Sequence, residues 1–129
     1  MPFNPIDIHY HSRNVTSDDK ESRGNYESSL DLNEYCISHP SSTFFVKTES
    51  NAMESAGIYS GDLLIVDRAA KPASGRIVLA IIAGEFMLRR VALKNRRVFL
   101  TAENDEVFEL TPDTDASLWG VVIGVIRKF

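Results

Sequence analysis

The stretch Phe44-Phe45-Val46-Lys47-Thr48-Glu49-Ser50-Asn51-Ala52-Met53, running into Gly57-Ile58-Tyr59-Ser60-Gly61-Asp62-Leu63-Leu64-Ile65-Val66-Asp67, decides the fold. Its two ends are short runs of Phe, Val, Ile and Leu, the composition of strands, and its middle is polar and glycine-containing. That pattern predicts strands over 43–48 and 62–67. Working outward, the same alternation of apolar runs with Gly, Pro, Asn and Asp predicts strands over 76–83, 85–92, 97–101, 107–110 and 118–127. Ala83-Gly84 supplies a hairpin turn, while Pro72-Ala73-Ser74-Gly75 and Thr111-Pro112-Asp113 break the chain before the strands that follow them. Trp119, inside the last run, reads as a core or interface aromatic.

Ahead of the quoted stretch the pattern changes. Asp31 followed by Glu34 has the spacing of a capping box, and Leu32, Tyr35, Cys36 and His39 fall on one helical face before Pro40 stops the turn. One short helix is expected over 31–38. Residues 12–29 are almost wholly polar, so residues 1–29 are read as a flexible N-terminal arm and 30–129 as the folded domain. Within the arm, Ile6-Asp7-Ile8-His9-Tyr10-His11 alternates apolar and polar residues, so this piece is able to add to a sheet edge of its own or another subunit.

Composition narrows the class. With 129 residues, 43% hydrophobic and 25% charged, the chain suits one domain with one core. No apolar run approaches the ~20 residues of a membrane span, and Met1 to Asn14 lacks the basic start and apolar centre of a signal peptide. A cytoplasmic protein without membrane association is expected. The single Cys36 excludes an internal disulfide and reads as a small buried apolar residue. Three scattered His residues give no metal-ligand spacing, so no metal and no cofactor are expected. Eighteen acidic against fourteen basic residues leave a net charge of -4, which disfavours direct nucleic-acid binding through phosphate neutralisation. Lys94-Asn95-Arg96-Arg97 accordingly reads as a solvated turn between strands rather than as a binding patch.

The ordered series Asp31-Leu32-Asn33, His39-Pro40-Ser41, Phe45-Val46-Lys47, Ser60-Gly61-Asp62-Leu63-Leu64-Ile65-Val66-Asp67, Gly84-Glu85-Phe86 and Trp119-Gly120-Val121-Val122-Ile123 resembles the LexA/UmuD (S24) family of serine-lysine autoproteases. The likeness covers about residues 30–129. It implies a mainly β, twisted antiparallel fold of the LexA/UmuD C-terminal type, with one short helix and an extended N-terminal arm. In that family a strand leads into Gly-Asp-Ser-Met or similar, whose Ser is the nucleophile, and a Lys after Gly-Glu-Phe is the base. Ala52 stands at the Ser position and Arg89 at the Lys position.

Both replacements remove the chemistry. A methyl group cannot attack a carbonyl. A guanidinium, with a pKa above about 12, does not become the unprotonated base that a desolvated Lys can be. Ser50 and Ser55 flank the vacancy, but a one-residue shift along an extended chain turns a side chain to the other face and a two-residue shift moves it about 6.8 Å, so they read as turn-capping residues. If Arg89 is buried it needs acceptors, for which Glu49 and Glu85 are candidates. The family's self-cleavage bond is Ala-Gly or Cys-Gly in the arm. Here the one arm bond of that kind is Arg23-Gly24, a poor mimic, whereas Ala56-Gly57 and Ala83-Gly84 fall within the fold.

The resemblance implies an SOS-response accessory protein for error-prone, translesion DNA synthesis, here a non-cleaving pseudoprotease. Its implied partners are a second copy or an active UmuD relative, a UmuC-like Y-family polymerase, the RecA filament and the polymerase clamp. Two other readings stay open: an autoprotease or trans-cleaved substrate cut at Arg23-Gly24, and an interaction module unrelated to mutagenesis. A LexA-like repressor is disfavoured, because the residues ahead of Ser42 are too few for a helix-turn-helix domain and a linker.

Overall fold

The computed structural model describes the backbone of Phe3–His9 and all of residues 30–104 and 106–129. Tyr10, His11, Arg23 and Gly24 lie outside the described residues. Eight strands form one antiparallel sheet among them: β1 (Phe3–His9), β2 (Thr43–Thr48), β3 (Leu63–Asp67), β4 (Ile77–Ile82), β5 (Glu85–Lys94), β6 (Arg97–Thr101), β7 (Val107–Leu110) and β8 (Ala116–Ile126). Their order across the sheet is β1-β2-β3-β8-β4-β5-β6-β7. The mainly β antiparallel fold with one short helix is therefore as the sequence predicts. The backbone of Phe3–His9 lies along β2, with Phe3 opposite Thr48 and His9 opposite Phe44.

The last strand joins the two halves. Residues 121–126 of β8 pair with β3, while residues 116–121 pair with β4 on the other edge. Both ladders slip by one residue, skipping Ile123 and Trp119 respectively, and such bulges bend and twist a strand strongly. Gly120 lies between them where a Cβ would come within 2.5 Å of Val66 Cγ1, so only a residue without a side chain fits against β3. Trp119 is half-buried, edge-on to Phe44 and Phe86, with the Arg68 guanidinium 4.6 Å from its ring centroid.

Burial on both faces explains why the inner strands read as continuous apolar runs. Leu79, Leu64, Val66, Val46 and Leu88 pack with Met53 and Ile58 on one face. Val78, Ala80, Val91, Leu100 and Val121 form the other cluster, so consecutive residues of β4 serve opposite cores. Ala83 and Gly84, both with positive φ, make the tight turn between β4 and β5, and Asn95 and Arg96 do the same between β5 and β6. The Lys94–Arg97 run is thus the exposed turn expected of it.

Two local expectations need correction. The helix α1 spans only Leu32–Cys36 and buries no residue: Leu32 and Tyr35 are 60% and 75% exposed, so the apolar face drawn from the sequence has no described surface against it. Its start is capped by Asp31, whose side chain accepts from Asn33 N at 2.9 Å, within a single turn too short to present a stripe. Cys36 is half-buried rather than buried, for the same reason.

Candidate functional site

The turn between β2 and β3 carries Ala52, and its geometry is set by backbone and small polar side chains. At its neck Thr48 N donates to Asp62 O at 3.0 Å and Gly61 N donates to Thr48 O at 2.7 Å. Gly61 has φ 96°, a left-handed conformation that a side chain disfavours. Across the turn Ser60 N donates to Asn51 Oδ1 at 3.1 Å. Met53 is 2% exposed and anchors the turn in the core, while its carbonyl accepts from Ala56 N and Ile58 N. Nothing in this framework uses the side chain at position 52.

Ser50 and Ser55 are committed to the turn. Ser50 N donates to Thr48 Oγ1 at 3.1 Å, and Ser50 Oγ accepts from Ala52 N at 3.0 Å. Ser55 uses both its amide and its hydroxyl as donors to Glu103 Oε1. Ser50 thus caps the turn and Ser55 ties it to the Glu103 carboxylate, and neither hydroxyl is hydrogen-bonded to a Lys or His side chain.

The fold brings Ala52 and Arg89 together although 37 residues separate their numbers. Both line an open cleft of about 310 Å³, with Asn51, Glu103, Asn104 and Glu106 around them. Arg89 comes from β5, opposite Val78. It also borders an adjoining apolar pocket of about 370 Å³ formed with Ile82, Met87, Leu100, Val107 and Phe108.

Arg89 is half-buried and donates to Leu88 O at 2.7 Å and Met87 Sδ at 3.3 Å. The expected partners Glu49 and Glu85 are not its acceptors: the guanidinium folds back onto its own strand. Glu85 sits exposed at the hairpin, opposite Ile82, four positions along the same strand. Two carboxylates that the sequence did not single out, Glu103 and Glu106, come instead from the connection between β6 and β7.

A second polar group holds the other end of the turn. The Asp62 side chain, 1% exposed, accepts two bonds of 2.6 Å from Arg127 Nε and Nη2, a bidentate fork, and one of 2.8 Å from Tyr59 N. The Arg127 hydrogen bond is the main cause that holds the Asp62 carboxyl below its usual range, and burial opposes it. At the far end of β3, Asp67 Oδ2 lies 2.6 Å from His39 Nδ1, and Asp67 Oδ1 accepts from Ala69 N at 2.8 Å and from Ser42 Oγ at 3.4 Å. Burial pushes the Asp67 carboxyl up, but these hydrogen bonds, led by His39, outweigh it and the net displacement is downward.

Ser42, His39 and Asp67 contain the residue types of a catalytic triad without its geometry. The Ser hydroxyl is shared between Asp67 Oδ1 and His39 O, each at 3.4 Å, and is not directed at the imidazole, so the Ser–His contact of a triad is missing. The cluster ties the 3-10 turn Pro40–Ser42 to β3. Neither pair was singled out from the sequence as a site, since 65 residues separate Asp62 from Arg127 and 28 separate His39 from Asp67. No helix among the described residues is long and apolar enough to cross a membrane.

Comparison with known proteins gives a consistent answer. The family model described as Peptidase S24-like matches residues 14–123. The chain is similar to the protein ImpA of Escherichia coli, 42% identical over 102 residues that cover 79% of this chain and 70% of that protein. It is similar to the protein SamA of Salmonella typhimurium, at 43% over 102 residues covering 79% and 71%, and to the protein MucA of Escherichia coli, at 37% covering 78% and 70%. A LexA repressor of Shewanella woodyi is 33% identical over 93 residues, which are 70% of this chain and 45% of that repressor.

Proposed function

The chain belongs to the S24-like peptidase family, and from that premise we propose that it is a UmuD-like accessory protein of the SOS response that acts by binding and does not cleave itself. The observation that carries the reading is the meeting of Ala52 and Arg89 at one cleft: a nucleophile and a base would be needed there, and a methyl group and a permanent cation stand in their place. Ser50 and Ser55 offer no substitute for a serine-lysine pair, since Ser50 Oγ is held by the Ala52 amide and the Ser55 hydroxyl by the Glu103 carboxylate, with no Lys on either. Loss of chemistry leaves the fold intact because the turn is held by backbone, Ser50, Asn51, Met53 and Asp62.

In this proposal residues 30–129 are the binding body and residues 1–29 an arm that is retained uncut. The partners are those of the family: a second copy or an active UmuD relative, a UmuC-like Y-family polymerase, the RecA filament and the polymerase clamp, all in the cytoplasm. The test is a lesion-bypass assay with a Y-family polymerase, with and without the natural protein and its cleavable relative. A change in bypass by the natural protein while its arm stays intact supports the proposal. No change in bypass alone, together with no change when the cleavable relative is present, would sink it in favour of a module unrelated to mutagenesis.

A further inference from the structure

A cleft of about 560 Å³, larger than either of those at Arg89, lies at the opposite end of the same turn. Tyr59 to Leu63 line its middle, with Ile126 to Lys128 on one side and Lys47 on the other. Lys47, Leu63 and Ile126 are register partners across β2, β3 and β8, so they form one row on one face of the sheet. Leu63 is half-buried and Ile126 is 39% exposed, which gives the cleft an apolar strip flanked by cations.

The charges are unbalanced. Lys47, Arg127 and Lys128 face a single carboxylate, Asp62, which is already engaged by Arg127. The ammonium groups of Lys47 and Lys128 have no ion-pair or hydrogen-bond partner among the described residues. Arg127 spends Nε and Nη2 on Asp62 and on Gly57 O, at 2.9 Å for the last, which leaves Nη1 without a described acceptor. Its guanidinium is also fixed 4.7 Å from the Tyr59 ring centroid. A cation already immobilised by a buried carboxylate and an aromatic face loses little freedom when an anion binds.

We propose that this cleft binds an acidic peptide segment of a partner protein. Carboxylates of the segment pair with Lys47, Lys128 and the free edge of Arg127, and an apolar side chain between them lies on Leu63 and Ile126. The apolar strip and the net charge of -4 on the chain select a short acidic peptide over a nucleic acid, whose binding depends on neutralising many phosphates. The site is independent of whether the Ala52 cleft performs chemistry.

The experiment is an amide-resolved NMR titration of the full chain with the acetylated, amidated peptide Glu-Leu-Asp-Leu-Glu. Its controls are the same peptide with Lys at the acidic positions and a single-stranded oligothymidylate. A Lys47→Glu, Lys128→Glu double variant, whose spectrum reports that it is folded, is titrated in parallel. The acidic peptide is expected to move the Gly61, Leu63, Ile126 and Lys128 amides, and to bind about tenfold more weakly in the double variant. Neither control should move them. Absence of these shifts with millimolar peptide, equal affinity in the double variant, or the same shifts with oligothymidylate would overturn the proposal.

Discussion

The two ends of the turn from Thr48 to Asp62 have been treated differently. At the Ala52 end a methyl side chain lines a cleft bordered by Arg89, Glu103 and Glu106 without an ion pair between them. At the Asp62 end a buried carboxylate is locked by a bidentate Arg127 and a backbone amide. The residue at position 52 takes part in this framework through its backbone amide, which donates to Ser50 Oγ, and not through its side chain.

That contrast predicts unequal responses to substitution. The largest effect is expected from Asp62→Ala, which removes the acceptor of Tyr59 N and leaves Arg127 without its partner. Its thermal unfolding midpoint should fall on the order of 10 °C. A midpoint within a degree of the natural protein would show that the lock is dispensable. Next comes Gly120→Ala, on the strand that joins the two halves of the sheet, where the new methyl meets Val66 Cγ1 at 2.5 Å. Overpacking there should cost about 1–3 kcal/mol in denaturant unfolding.

Acid should weaken the Asp62 lock by another route. Asp62 and Asp67 both have folded-state values displaced downward. Such groups contribute stability that is fully present above the unfolded carboxylate pKa of about 3.9 and is lost as pH falls through the folded value. Unfolding followed from neutral pH down through that range should show a decline that is shallower in Asp62→Asn. The smallest effect belongs to Ala52→Ser, at a half-buried position in a turn that does not use its side chain, with a change of about 0.5 kcal/mol or less. A larger loss would mean that the vacancy had been repacked.

Much of this was legible in the sequence, for a physical reason. Strands such as 97–101 and 107–110 match the structure because their apolar runs end at turn residues that cannot continue a ladder. Positions 52 and 89 were legible as a pair only through family resemblance, since their meeting depends on how β5 lies against the turn. What the sequence hid is long-range or cooperative. Arg127 carries no local sign that it serves Asp62, and Arg89 bends back to Leu88 O rather than reaching Glu49 or Glu85. The exposure of Leu32 and Tyr35 was equally hidden, because a helical pattern says which face is apolar but not whether anything covers it.

The most direct test of the central claim is intact-mass spectrometry of the purified natural protein after incubation with activated RecA filaments and, separately, at alkaline pH, beside the Ala52→Ser, Arg89→Lys double variant. The natural protein is expected to keep its full mass under both conditions. Cutting by the double variant would add that the cleft still accepts a peptide. Loss of the N-terminal arm from the natural protein, at Arg23-Gly24 or any other bond, would reveal an unrecognised nucleophile and contradict the account.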